Sequence, residues 1–204
     1  MTKNDGQLRY GPLTTSCVHL CVDMQNLFAC RTQWHTPWMG RVLPVVVRIA
    51  ERHPSRTIFT RFIPLAHPGE GRGTWRRYYE RWSSMTTESL DPGTIELVPE
   101  LAALVPPAEV IDKRVYSPWV ETDLDRRLRD RGVDTLIITG AETDVCVLGT
   151  VLGAVDRGYR VVIPTDALCS STDATHDALM TLYCDRYGQQ VETTTADEVL
   201  LSWE

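Results

Sequence analysis

The sequence predicts a doubly wound α/β fold, in which helices cover both faces of a parallel sheet. Short apolar runs rich in β-branched residues alternate with longer helical patterns along the chain, as they do in βαβ units. Each run is bounded by turn residues and has the length of a buried strand. The runs lie at residues 17–23, 56–63, 134–140 and 159–166, with weaker candidates at 109–112 and 190–193.

Helical patterns fill the connections before the second, fourth, fifth and sixth predicted strands. Several of them close at a glycine, the residue most often found just after the last turn of a helix. These patterns cover residues 37–53, 119–132, 144–158 and 171–188. The connection at residues 64–98 differs, because Gly and Pro clusters there flank an aromatic segment, TWRRYYERW. Long insertions often act as lids or subunit interfaces, so we expect one of these roles for it.

Size and composition favour a single domain spanning residues 1–204, with residues 1–15 as an N-terminal tail. Of the 204 residues, 43% are hydrophobic and 24% are charged, which suffices for a substantial core without disulfide bonds. The net charge is -6, and acidic and basic residues are interleaved throughout. The sequence contains no basic stripe, so we expect no nucleic-acid partner.

The apolar segments and the cysteines indicate the compartment. The longest apolar runs are far shorter than a membrane span, and the polar N-terminal sequence MTKNDGQLRYG lacks the apolar segment of a signal peptide. The six cysteines form neither a compact disulfide framework nor a CxxC pair, which is typical of free thiols. We therefore expect a cytoplasmic protein with no membrane partner.

Cys146 is the candidate nucleophile. It lies in the stretch TGAETDVCVLGT, six positions after Gly140, which ends a predicted strand. This places its sulfur in the first turn of a predicted helix, where the unpaired N–H groups and the helix dipole favour a thiolate. The same N–H groups offer an oxyanion hole. A buried structural cysteine is the alternative interpretation.

Asp23 and Lys113 are the candidate partners of Cys146, because residues at the carboxyl ends of parallel strands share one crevice. Asp23 ends the apolar run CVHLCVD, and it is either a general base or a turn residue at a strand end. Lys113 ends the third predicted strand. The chain has 19 arginines and two lysines, the other being Lys3, so position 113 requires a compact ammonium unless this bias is chance.

These residues and their surroundings resemble the isochorismatase-like cysteine hydrolases, which include nicotinamidases and N-carbamoylsarcosine amidohydrolases. The resemblance rests on VDMQN after the first strand, a Lys after the third, and GAETDVCV followed by GYRVVIPTDALCSS; it spans about residues 17–195. It implies a six-stranded parallel sheet flanked by helices, and a catalytic triad of Asp23, Lys113 and Cys146. It also implies a homo-oligomer, either a dimer or a tetramer.

The resemblance implies further features of the nucleophile loop and its surroundings. One is a cis peptide bond between Ala141 and Glu142, which would aim the Glu142 N–H, with that of Cys146, at the oxyanion. Nicotinamidases bind a metal through an Asp-x-His pair after the second strand. Here Leu65 stands two positions before His67, so we expect neither a catalytic metal nor another cofactor.

The activity that the resemblance implies is metal-independent hydrolysis of a C–N bond in a small amide, ureide or lactam, through a thioester on the cysteine. The candidate substrate contacts are Gln25, Phe28, Trp34, Trp75, Tyr79, Tyr116 and Trp119. Aromatic walls suit a flat or cationic substrate, whereas Arg76 and Arg77 suit a carboxylate. The sequence leaves both kinds of substrate open.

Two alternative functions stay open at this point. A vinyl-ether hydrolase of the isochorismatase type would use Asp23 as an acid and would not need Cys146. A catalytically silent binding or assembly protein on the same scaffold would show no preference of iodoacetamide for Cys146 over the other five cysteines. Replacement of Cys146 separates the first alternative from a cysteine hydrolase.

Overall fold

The computed structural model describes residues 8–204. At its centre lies a parallel sheet with the strand order β3-β2-β1-β4-β5-β7, and a short β6 pairs with β4. The strands are β1 (Cys17–Val22), β2 (Thr57–Phe62), β3 (Glu109–Lys113), β4 (Thr135–Ala141), β5 (Arg160–Pro164), β6 (Leu168–Cys169) and β7 (Val191–Thr194). The predicted parallel α/β sheet is confirmed, and β6 is a two-residue addition to the six predicted strands.

Helices lie on both faces of this sheet. Those in the described residues are α1 (Asn26–Ala29), α2 (Met39–Arg52), α3 (Thr74–Arg81), α4 (Pro99–Ala102), α5 (Leu124–Asp130), α6 (Cys146–Asp156), α7 (Asp173–Thr181) and α8 (Ala196–Ser202). The predicted helix at 171–188 stops being α-helical after Thr181 and continues as a wider π-helical turn, Leu182–Arg186. Helices therefore occupy the connections in which the sequence predicts them.

Side chains of the central strand β1 pack into two separate apolar layers, one on each face of the sheet. Cys17 and Cys21 pack into the layer that contains α2 and α8, whereas Val18, Leu20 and Val22 pack into the layer that contains α5 and α6. This alternation follows from the two-residue period of a strand. Because both faces of β1 are buried, its sequence is mostly apolar, and its polar side chain, His19, is buried as well.

The insertion at residues 64–98 packs against the layer that contains α2. It holds α3 and short 3-10 turns, and Tyr79 on α3 is fully buried. The rings of Tyr78, Tyr79 and Trp82 lie 5.8, 6.4 and 6.3 Å from that of Trp34, measured between centroids. The aromatic face of the insertion is thus turned toward the body of the same chain.

Part of the predicted N-terminal tail belongs to the packed structure. Residues 1–7 lie outside the described residues. Leu13 is fully buried, its N–H donates to the carbonyl of Ser202 at 2.9 Å, and it forms a parallel bridge with Trp203. The predicted boundary at residue 15 is therefore too late, because Leu13 already contributes a backbone pairing. None of the helices in residues 8–204 has the length and apolar character needed to cross a membrane.

His19 on β1 is expected to make folding sensitive to acid. Its ring is fully buried, Nε2 lies 2.7 Å from Thr139 Oγ1, and burial lowers the pKa of His19 to about 3. The unfolded chain therefore binds a proton below pH ~6.5 that the folded chain does not. We expect this residue to reduce the free energy of unfolding by about 1.4 kcal/mol per pH unit as the pH falls below ~6.5.

Urea unfolding at pH 7, 6 and 5 measures this slope for the wild type and for His19→Asn. The slope should be shallower in His19→Asn, whereas His67→Gln, which changes an exposed histidine, should keep the wild-type slope. Equal slopes for the wild type and His19→Asn would refute this assignment.

Candidate active site

Three buried side chains from distant parts of the sequence meet at the carboxyl edge of the sheet. Asp23 directly follows β1, Lys113 is the last residue of β3, and Cys146 is the first residue of α6, which comes after β4. Asp23 is 0% exposed, Lys113 2% and Cys146 6%. Open parallel sheets bind ligands at this edge, so the structure brings the three residues together where chemistry is expected.

Asp23 and Lys113 form a fully desolvated ion pair. Lys113 Nζ donates to Asp23 Oδ2 at 2.6 Å, and both side chains are 0% exposed. The other carboxylate oxygen accepts a hydrogen bond from Thr60 Oγ1 at 2.6 Å. Lys113 Nζ also donates to the carbonyl of Val115 at 3.2 Å and lies 5.1 Å from the ring centroid of Phe62. These partners compensate both buried charges.

The ammonium of Lys113 remains charged in this environment. Burial lowers its pKa, but the charge of Asp23 and the interaction with Cys146 outweigh burial, so the pKa of Lys113 is raised. The site therefore holds one fixed positive charge beside the carboxylate and the thiol.

The Cys146 thiol interacts with the side chains of both Asp23 and Lys113. Burial raises its pKa well above the usual value; Lys113 opposes this shift and Asp23 adds to it. The resting sulfur is therefore a thiol. The loss of solvation thus outweighs the stabilisation of a thiolate that Lys113 and the start of α6 offer.

Backbone geometry brings the ends of β1 and β4 unusually close together. Gly140 has φ +108°, and a Cβ atom at this position would lie 2.1 Å from the carbonyl oxygen of Val22. Asp23 itself has φ 52°, in the left-handed region that Asp tolerates better than most residues. Its N–H donates to the carbonyl of Thr60 at 3.2 Å, which fixes this conformation. The close approach holds the loop that carries Cys146 beside Asp23.

The nucleophile loop, residues 142–145, is held from the neighbouring strand and helix. The peptide bond between Ala141 and Glu142 is cis. Thr143 donates to the carbonyl of Cys169 through its N–H at 2.9 Å and through Oγ1 at 3.1 Å, and Tyr183 Oη donates to the Thr143 carbonyl at 3.1 Å. Among the backbone–backbone hydrogen bonds of the described loops and turns, none is donated by the N–H of Glu142 or of Cys146.

A cavity of about 340 Å³ opens above Cys146. Gln33, His35, Glu142 and Ser171 contribute polar groups to its wall. The rest of the wall is mainly aromatic, and its rings come from Phe28, Trp34, Phe62, Tyr78, Trp82 and Tyr116. This size and lining are those of a small-molecule site, with an apolar body and few polar groups.

Only part of the predicted substrate set lines this cavity. Phe28, Trp34 and Tyr116 do, and the other four residues lie elsewhere. Trp75 packs behind Tyr116, with ring centroids 5.0 Å apart, and Tyr79 is fully buried under the rest of the aromatic cluster.

The side chains of Gln25 and Trp119 form hydrogen bonds with the backbone and do not line the cavity. Gln25 is fully buried; its Nε2 donates to the carbonyls of Phe62 and Ile95, and its Oε1 accepts from the N–H of Phe62. Trp119 lies in the apolar layer of α6, where its Nε1 donates to the carbonyl of Thr150 at 2.9 Å. Neither side chain is left free to contact a substrate.

Sequence reasoning missed several side chains that build the site. Thr60, which orients the Asp23 carboxylate, and Phe62 belong to the end of β2, and the rule that places sites at carboxyl ends of strands should have included them. Tyr78 and Trp82 belong to the aromatic segment that the sequence singles out, but only packing against Trp34 selects them as wall residues.

The donors of a nicotinamidase metal site are not reproduced. Leu65 offers no metal-binding atom, and His67 is exposed in a loop. Within residues 8–204, no group of three or more His, Cys, Asp or Glu side chains is placed to hold a metal ion. The residues present therefore do not fit that metal.

The fold and the grouped thiol, carboxylate and ammonium place the protein among α/β hydrolytic enzymes with a buried cysteine. The family model of the isochorismatase domain matches residues 17–196, which is most of the chain. The chain belongs to the isochorismatase family of hydrolases.

Two plant proteins and one solved structure illustrate this kinship. The chain is 30% identical over 163 residues to a probable inactive nicotinamidase of Arabidopsis thaliana, covering 78% of this chain and 83% of that protein. It is 29% identical over 163 residues to nicotinamidase 3 of the same plant, covering 79% and 77%. A cysteine hydrolase from Pseudomonas syringae pv. phaseolicola 1448A matches with 25% identity and a TM-score of 0.80, covering 99% of this chain and 98% of that chain.

Proposed function

We propose that the protein is a metal-independent cysteine amidohydrolase that cleaves the C–N bond of a small amide, ureide or lactam. The observation that carries this proposal is the interaction of the Cys146 thiol with both Asp23 and Lys113 at the base of a cavity. A buried ion pair costs desolvation energy and adds little to stability. Its position against a thiol that lines a cavity supports a catalytic purpose.

In the first half of the proposed reaction, Asp23 accepts the thiol proton while the sulfur attacks the carbonyl carbon of the amide. A sulfur–carbon bond forms, and the electron pair of the carbonyl π bond moves to the oxygen. The N–H groups of Glu142 and Cys146 stabilise this oxyanion. Asp23 is needed as the proton acceptor because burial raises the pKa of the Cys146 thiol.

The second half of the reaction regenerates the enzyme. The oxyanion returns its electron pair to re-form the carbonyl, the C–N bond breaks, and the proton held by Asp23 passes to the leaving nitrogen. Ammonia or an amine departs, or, for a lactam, the ring opens and the amine stays on the acyl chain. Asp23 then deprotonates a water molecule that attacks the thioester, and the acid is released as the Cys146 thiol recovers its proton. Lys113 keeps a positive charge beside the sulfur and the carboxylate throughout.

Trapping of the thioester tests this function. We expect intact-mass spectrometry, after an acid quench of the protein mixed with a panel of amides and ureides, to show the protein plus one acyl group. Peptide mapping should place that group on Cys146. The Cys30→Ser variant, which removes an exposed thiol, should form the same adduct. Turnover of an amide without an acyl adduct, or with the adduct on another residue, would contradict the mechanism.

Three further expectations stay predictions. They are the single domain over residues 1–204, the homo-oligomer and the cytoplasmic location. Size-exclusion chromatography with light scattering tests whether the protein is a dimer or a tetramer.

A further inference from the structure

We infer that the cavity selects amides with a flat apolar body and a cationic or hydrogen-bond-donating group, and rejects amides that carry a carboxylate. This inference rests on the proposed amide hydrolysis, and it names the substrate class of that site. Glu142 is the residue that makes the selection.

The walls of the cavity fit a flat, apolar substrate body. Six aromatic rings surround the space above Cys146, and Trp34 joins them in one cluster, with its ring centroid 5.9 Å from that of Phe62 and 6.3 Å from that of Trp82. Such rings stack on planar groups, and their faces attract cations. Both properties favour an unsaturated or aromatic substrate with a positive or neutral substituent.

Glu142 adds an acceptor that is held in place. Oε1 accepts a hydrogen bond from Thr36 Oγ1 and Oε2 accepts one from Ser171 Oγ, both at 3.2 Å. Each carboxylate oxygen can accept two hydrogen bonds, so capacity remains on both oxygens for a donor on the substrate. The two hydroxyl groups fix the side chain before the substrate arrives, which reduces the ordering cost of binding.

No basic side chain of an Arg or a Lys among the described residues lines this cavity. Arg76 and Arg77, which the sequence offered as partners for a carboxylate, line a separate surface depression with Glu70 and Glu80. Lys113 is occupied by Asp23 and by a backbone carbonyl. A substrate carboxylate would therefore lose its water and face Glu142 without a compensating guanidinium or ammonium.

A matched series of benzamides tests this selection. The ring carries a hydroxymethyl, an aminomethyl or a carboxylate group in the para position, so that size and the reacting amide stay constant. We expect kcat/KM to be about 10-fold higher for the cationic member than for the neutral one. We expect it to be on the order of 100-fold lower for the anionic member than for the neutral one. Dissociation constants, measured by tryptophan fluorescence with Cys146→Ala, should follow the same order.

The variant Glu142→Gln keeps the backbone N–H and the size of the side chain but removes its charge. The ratio of kcat/KM between the cationic and anionic benzamides should fall at least 10-fold in this variant. Glu80→Gln is the matched control, because it makes the same change of charge outside the cavity lining, at an exposed residue of the separate surface depression that holds Arg76 and Arg77. That control should keep the ratio, and His35→Gln should still reject the anionic member.

The two readouts separate failure of this inference from failure of the proposed function. Turnover or binding that ignores the charge of the substituent, or favours the carboxylate, overturns the selection by Glu142 even if Cys146 forms a thioester. Binding in the expected order without turnover of the benzamides supports the selection; if the panel of amides and ureides also gives no acyl adduct on Cys146, the amidohydrolase is refuted.

Discussion

Replacement of Cys146 by alanine is expected to lower kcat/KM for an amide substrate by about 10⁴-fold or more, because no other group in the site can form the thioester. The folded structure should persist, since the side chain loses only one sulfur atom at the edge of a cavity. Steady-state kinetics gives the loss, and circular dichroism with thermal melting reports the fold.

The control for this variant is Cys30→Ser, which removes an exposed thiol and should keep wild-type turnover. Undiminished hydrolysis by Cys146→Ala would contradict a cysteine hydrolase. If Cys146→Ala hydrolysed a vinyl ether, with Asp23 as the proton donor, the protein would be a vinyl-ether hydrolase of the isochorismatase type. A protein that turns over neither class of substrate and forms no adduct would be the silent scaffold.

Breaking the buried ion pair is expected to damage both activity and stability. Asp23→Asn should lower kcat/KM by about 10²- to 10⁴-fold or more, because the thiol loses its general base. It also leaves the Lys113 ammonium buried without its main partner, which should reduce the free energy of unfolding by about 3–5 kcal/mol. Lys113→Met should destabilise by a similar amount, because it leaves the Asp23 carboxylate unpaired.

The double variant Asp23→Asn, Lys113→Met tests whether the two charges act as a pair. Its loss of unfolding free energy, measured with urea, should be smaller than the sum of the two single losses. Arg48→Met is the matched control, since the Arg48–Asp197 pair has a similar distance, 2.8 Å, but is 55% and 74% exposed; it should change stability by about 1 kcal/mol or less. Additive losses in the double variant would show that the pair is not coupled.

Lys113→Arg separates charge from shape at the same position. The side chain is 0% exposed, so a guanidinium must displace neighbours such as Phe62. We expect reduced turnover with the charge retained. Near-normal turnover would refute the interpretation that the scarcity of lysine marks this position.

The order of strands and helices could be predicted from the sequence, and so could the grouping of Asp23, Lys113 and Cys146, because both depend on local signals. Asp23 and Lys113 end apolar strands, and Cys146 follows one by a short turn, so the carboxyl-edge rule brings them together without knowledge of packing. Gln25 and Trp119 also follow these strands, but their side chains point to backbone carbonyls instead of the cavity. The number of positions between a residue and a catalytic residue does not tell where its side chain points.

The electrostatic state of the site could not be predicted either, because it depends on burial. The position of Cys146 at the start of α6 favours a thiolate, yet the groups that surround it come from α1, the ends of β2 and β3, and the insertion. Glu142 illustrates the same limit, since the sequence assigns a role only to its N–H. Only the three-dimensional arrangement shows that its carboxylate lines the cavity.

Because the sulfur of Cys146 is buried and protonated, it should resist oxidation and alkylation. Peroxide and iodoacetamide attack thiolates, so the resting nucleophile is shielded, while the exposed Cys30 and Cys184 meet such reagents first. A working cysteine hydrolase should therefore also show no preference of iodoacetamide for Cys146, so this result is no sign of the silent scaffold. Oxidative damage should accumulate on the surface thiols before it reaches the reactive centre.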